Sequence, residues 1–99
     1  MFGLDEKQFN FVKSMLKKHI PEPEAKFYIF GSRAKGCSKK YSDVDIAIDL
    51  PGFTSARKLE LELDFENSLF PFEVDIIDLN NIKESFKNLI KNDLSEIIF

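Results

Sequence analysis

Gly31 and Ser32, followed after ten residues by Asp43 and Asp45, are the positions in this chain whose types and spacing suit chemistry. A glycine just past a strand lets the backbone approach a phosphate, and the free N–H groups of the next turn, with the Ser32 hydroxyl, can bind its oxygens. Aspartates two apart on a strand share one face, and their hard oxygens suit Mg²⁺ or Mn²⁺. Taken singly, each signal has a plainer reading: Gly-Ser commonly ends a strand and caps a helix, and Asp-x-Asp is commonly the solvated side of an edge strand. Their spacing joins them. Ten residues allow a short helix, capped by Ser32 and running through Lys35, and then a return to the sheet, which sets the turn and the carboxylates at neighbouring strand ends. Arg33 and Lys35 place positive charge in that turn, where it can meet phosphate oxygens or simply face water.

A third carboxylate is expected from Asp75, which lies between Val74 and Ile76 in an otherwise apolar run and is costly to bury without a cation or a hydrogen-bond partner. Asp49 shares the parity of Asp45 but sits about 13 Å further along at strand rise, too far for the same ion. Asp78 reads as a loop residue. Three carboxylates and two cations would neutralise a triphosphate, orient an attacking oxygen and stabilise departing pyrophosphate, with Asp75 also placed to accept the attacking hydroxyl's proton.

The elements that must position these groups can be read from periodicity. Asp5 and Gln8 form a capping box, and Phe9, Val12, Leu16 and Ile20 follow at helical spacing until Pro21 and Pro23, which predicts a helix from Asp5 to His19. Residues 26–30 and 44–50 read as strands, the second alternating Val44, Ile46 and Ile48 with Asp43, Asp45, Ala47 and Asp49. From Thr54 to about Leu69 a helix is expected with a wide apolar face, Ala56, Leu59, Leu63 and Phe70 beside Leu61, Phe65 and Leu69, packed on the sheet. A strand over 72–78, a helix marked by Ile82, Phe86, Leu89 and Ile90, and an edge strand over 96–98 complete the pattern. The expected architecture is α/β (α+β): one domain over residues 1–99, with a mixed sheet of about four strands and helices packed against it.

A chain of 99 residues builds one small core, so the rest of any substrate site is expected from elsewhere. Its net charge of −3 lacks the basic surface that duplex nucleic acid requires. No apolar run reaches membrane-spanning length, no secretory pattern opens the chain, and Cys37 is the only cysteine, so a reducing cytoplasm is expected. The single histidine, His19, ends a helix and is expected to meet its open carbonyls rather than to catalyse. Most of the eleven phenylalanines should fill the core, with Phe53, Phe70 and Phe99 the candidates for a partner-facing patch.

Gly31-Ser32, the ten-residue interval and Asp43-Val44-Asp45 together resemble the signature of the DNA polymerase β-like nucleotidyltransferase superfamily. Gly-Ser-Arg-Ala-Lys-Gly over 31–36 and Ser-Asp-Val-Asp-Ile over 42–46 are similar to its smallest branch, the minimal nucleotidyltransferases, and the likeness runs from Phe27 to the end. The resemblance implies the polymerase β-like fold, ATP as substrate, Mg²⁺ (two ions), Gly31 and Ser32 on phosphate, and Asp43, Asp45 and Asp75 as the metal triad. Members commonly act as antitoxins beside a small helical HEPN-domain ribonuclease, and some transfer AMP to a tyrosine of that partner. Lys35 stands where an arginine is usual, and Cys37 has no predicted role. The expectation is therefore Mg²⁺-dependent AMP transfer to a hydroxyl of a HEPN toxin, within a homo- or hetero-oligomer. Two alternatives remain: an antitoxin that works by occlusion, and the nucleotide-binding subunit of a small-molecule (antibiotic) nucleotidyltransferase. Acceptor, base preference and oligomeric state are not written in the sequence.

Overall fold

The computed structural model describes residues 1–31, 33 and 43–99. Asp5 caps the first helix, α1 (Glu6–His19), by the expected reciprocal box: its carboxylate accepts from Gln8 N at 2.7 Å and the Gln8 side chain accepts from Asp5 N at 3.0 Å. Strands β1 (Lys26–Phe30) and β2 (Val44–Asp49) are antiparallel, helix α2 (Ser55–Glu66) crosses over, and β3 (Val74–Asp78) returns parallel to β2. A short helix, α3 (Glu84–Ile90), and a 3₁₀ turn (Lys91–Asp93) lead to β4 (Ser95–Glu96), which pairs antiparallel with β1, so the sheet order is β3-β2-β1-β4. The short helix expected through Lys35 lies outside the described residues.

Alternation in the strands divides the sheet into two unequal faces. Phe27, Ile29, Val44, Ile46, Ile48 and Ile76 join Val12 and Leu16 of α1 and Leu61 and Phe65 of α2 in the main core. The opposite face carries Tyr28, Phe30, Ala47 and Ile77, covered towards one end by Leu79, Ile82, Ile90 and Leu94. Asp45 has the parity of Ala47, so it lies on this second face, away from the main core.

Helix α2 corrects one expectation. Leu61 and Phe65 are buried, but Leu59 and Leu63 are 55% and 45% exposed. Residues two apart on a helix point about 200° away from each other, so one of these two rows has to face outward. The helix also stops at Glu66: Ser68 Oγ bonds to Phe65 O at 2.6 Å and accepts from Phe70 N, and Leu69 is left fully exposed. Of the proposed partner-facing phenylalanines, Phe53 is buried, Phe70 stacks on Phe11 and is half-buried, and Phe99 is half-exposed against Phe27.

Two polar ties join α1 to α2. Arg57 grips Glu22 with Nη1 and Nη2 at 2.6 and 2.8 Å and donates to His19 O at 2.9 Å. His19 Nε2 meets Asp64 at 2.7 Å, so the histidine pairs with a carboxylate rather than with helix carbonyls; Lys18 reaches the same oxygen at 3.0 Å. Hydrogen bonding from Arg57 pulls Glu22 from its usual 4.5 down to about 2. Because the folded value is depressed, this contribution is complete above about pH 4.5 and disappears as the pH falls towards 2. Arg57→Ala is expected to lower the melting temperature at neutral pH and to flatten its decline across that acid window, as thermal unfolding at a series of pH values would read out.

Candidate active site

The acidic site is assembled by strand register. In the parallel pair Asp45 stands directly across from Asp75, while on the other side it is the partner of Phe30, the last residue of β1. Asp43 precedes β2 by one residue, with the parity of Asp45. It is exposed, Asp45 is half-buried, and Asp75 is exposed. Asp75 is therefore marked by its register and not by the burial cost that the sequence suggested.

Electrostatics shows how closely these groups are crowded. Burial raises the Asp45 carboxyl above the usual carboxylate range, and the negative charges of Asp75 and Asp43 and a hydrogen bond with Asp75 add to the rise; Arg33 opposes it. Hard oxygens from three carboxylates at one sheet end are a suitable donor set for a small divalent cation, whose charge would relieve this repulsion. Among the described residues, no three His, Cys, Asp or Glu side chains are already spaced as a finished metal cage.

Gly31 closes one side. It turns at φ +76°, and a Cβ built there would stand 2.7 Å from Asp45 Oδ2. Glycine is needed twice over, for the left-handed backbone and for the room the carboxylate occupies. Gly31→Ala is expected to cost about 1–2 kcal/mol of stability and to displace the Asp45 side chain, which thermal melts and a crystal structure of the variant would check.

Arg33 is 2% exposed. Its Nε donates to Asp43 O at 3.2 Å, its Nη1 donates to Phe2 O at 3.0 Å, and its guanidinium lies 4.6 Å from the Phe72 ring centre. Burial lowers its pKa, while Asp43 and Asp45 work in the opposite direction. The sequence left this residue open to phosphate oxygens or to water; in the fold its guanidinium bonds to the backbone that presents Asp43. Phe2 and Phe72 were not foreseen in this role, and no sequence signal marks them, because each contributes through a carbonyl or a ring face. Ser32 and Lys35 lie outside the described residues.

The outlying aspartates behave differently. Asp49 accepts from the Asn80 side chain at 3.1 Å, and Asp78, which closes β3 rather than lying in a loop, accepts from Asn80 N at 2.9 Å. Together they fasten the far end of the strand pair, on the side away from the acidic trio.

Likeness to known proteins bears on this arrangement. The chain is 38% identical over 82 residues to "Probable protein adenylyltransferase MntA" of Haemophilus influenzae, covering 81% of this chain and 69% of that one. Its fold is similar to a crystal structure of a toxin-antitoxin with AMP-PNP, with TM-score 0.72 and 23% identity over 94% of this chain and 72% of the other. It is also similar to a structure of a tri-AMPylated Shewanella oneidensis HEPN toxin in complex with MNT antitoxin, with TM-score 0.69 and 20% identity over 94% and 71% of the two chains. A family model for the nucleotidyltransferase domain matches residues 6–99, so the chain belongs to the nucleotidyltransferase domain family.

Proposed function

We propose that this nucleotidyltransferase moves AMP from Mg²⁺-bound ATP to a hydroxyl, a tyrosine of a HEPN-domain toxin, and is the antitoxin of that pair. The single observation carrying this reading is the register of Asp45 with Asp75 beside Gly31, which supports a metal-binding carboxylate group against a phosphate-binding turn. Its relatives' chemistry agrees: one is named a protein adenylyltransferase, and one structural neighbour pairs an AMPylated HEPN toxin with an MNT antitoxin.

In this reading Asp43, Asp45 and Asp75 would hold Mg²⁺, as two ions, which when bound supplies positive charge against the triphosphate. Gly31, and Ser32 beyond it, bind phosphate oxygens. Arg33 acts as a positioning residue that fixes the backbone of Asp43, and Lys35 offers a further charge to the phosphates. Asp75, the exposed member of the registered pair, accepts the proton of the attacking hydroxyl. The hydroxyl oxygen bonds to the α-phosphorus as the bond to the bridging oxygen breaks, and pyrophosphate leaves with that electron pair. We place the reaction in the reducing cytoplasm, where ATP and Mg²⁺ are abundant.

The test is incubation of the chain and its HEPN partner with Mg²⁺ and α-labelled ATP. Label is expected on a partner tyrosine, and removal of Mg²⁺ by EDTA is expected to abolish transfer; absence of label on the partner under saturating ATP would overturn the reading. A second reading, silencing by occlusion, is favoured by the exposed Leu59 and Leu63 on α2 and Phe86 and Leu89 on α3. It predicts that the partner is silenced equally without ATP.

A further inference from the structure

A hollow of about 360 Å³ opens between the C-terminal end of α2 and the approach to β3, and its wall ends on Asp75. Phe65, Phe70, Phe72 and Val74 form its apolar lining, and Glu62, Glu66 and Glu73, with Asp75, supply its charge; no lysine or arginine is among the described residues lining it. The aromatic part is rigid, since Phe70 packs on Phe65 and Phe72 with ring centres 5.7 and 5.6 Å apart. Glu66 and Glu73 have no side-chain partner among the described residues, and Glu62 has a loose, exposed contact with Lys58 at 3.4 Å.

Two properties select the occupant. The volume of about 360 Å³ is at the small end of ligand sites, which run from about 300 to 1,000 Å³, and has room for an aromatic side chain with part of its flanking segment. Three glutamates, Glu62, Glu66 and Glu73, attract a cationic segment and disfavour an anionic one. We propose that this hollow is the acceptor-docking site, and that it takes an aromatic side chain carried on a lysine- and arginine-rich segment of the partner protein. The ring packs on Phe65, Phe70 and Phe72, the flanking cations meet Glu66 and Glu73, and a phenolic hydroxyl at the ring's end lies at the edge strand β3, which carries Asp75. The assignment rests on the proposed AMP transfer for the role of that hydroxyl, but the docking itself can be measured without any reaction.

Fluorescence anisotropy on the full chain would use three labelled peptides: a tyrosine flanked by lysines and arginines, the same peptide with alanine for tyrosine, and one with glutamates in place of the basic flanks. The basic tyrosine peptide is expected to bind about tenfold or more tightly than either control. Its affinity is expected to fall with added salt and to drop about tenfold in the Glu66→Gln/Glu73→Gln variant, whose fold is checked by its circular dichroism melt. Equal binding of the three peptides overturns the proposal, as does an unchanged affinity in a folded double variant. Should that variant not fold, each single change is measured alone, with the same criterion. Selective docking of the basic peptide with no label transferred to it from ATP would sustain the docking site and count against the transfer. Transfer that ignores flanking charge and the two glutamates would do the reverse.

Discussion

Asp45→Asn is expected to lower AMP transfer by about 10³-fold or more, equivalent to ~4 kcal/mol of transition-state stabilisation, while leaving the protein at least as stable as the parent. The two effects have one cause. Asp45 is half-buried, faces Asp75 across the parallel pair and feels the charge of Asp43, so its own charge is unfavourable in the folded chain, and the proposed cation would relieve it. Asparagine keeps the shape and removes the repulsion, and with it the negative charge proposed to hold the metal. Mg²⁺ should accordingly raise the melting temperature of the parent and have little effect on the variant. Parallel thermal melts with and without Mg²⁺, and a transfer assay, would test both halves. A variant that keeps a tenth of the parent's transfer would remove Asp45 from the metal site.

Arg33→Met should show the opposite combination, with stability and transfer lost together. The guanidinium is buried, bonds to Asp43 O and Phe2 O, and lies on Phe72, so one side chain joins the amino-terminal segment, the approach to β2 and the approach to β3. Removing it leaves carbonyls without their donor and takes a planar cation off an aromatic face. The net loss is about 3 kcal/mol after allowing for the desolvation that burying the charge had cost. For a domain of this size that corresponds to a melting temperature about 10–20 °C lower. Arg33→Lys should recover little, because an ammonium has neither the forked donors nor the flat face. Transfer should fall at temperatures where the variant is still folded, since Asp43 loses its backbone anchor. A variant that melts within about 3 °C of the parent would mean that the guanidinium does not hold the site together.

Much of this architecture is legible in the letters because it depends on local rules. The capping box at Asp5 and Gln8, the stop before Pro21 and the alternation of Val44, Ile46 and Ile48 are each decided within a few residues, and each element falls where its pattern puts it. Helix α2 shows where such reading fails. Two apolar rows, Leu61 with Phe65 and Leu59 with Leu63, have equal standing in the sequence, and only the packing of α2 on α1 and β3 selects the first. Phe53 is similar: a turn beside Pro51 suggested exposure, and the core took it in.

The same division runs through the site. By itself the sequence determined where the candidate residues for the proposed chemistry lie, because a glycine-serine pair and two aspartates at a spacing of two are short-range features that can be read within a few positions. Only the tertiary structure decided that Asp75 stands across from Asp45, since pairing in a parallel sheet joins segments 30 positions apart and one step of slippage would turn Asp75 to the other face. It also turned Arg33 from a charge in a turn into a buried brace. Its neighbours there, Phe2 and Phe72, are distant in the chain, and a backbone carbonyl or a ring face leaves no mark in a string of residue types.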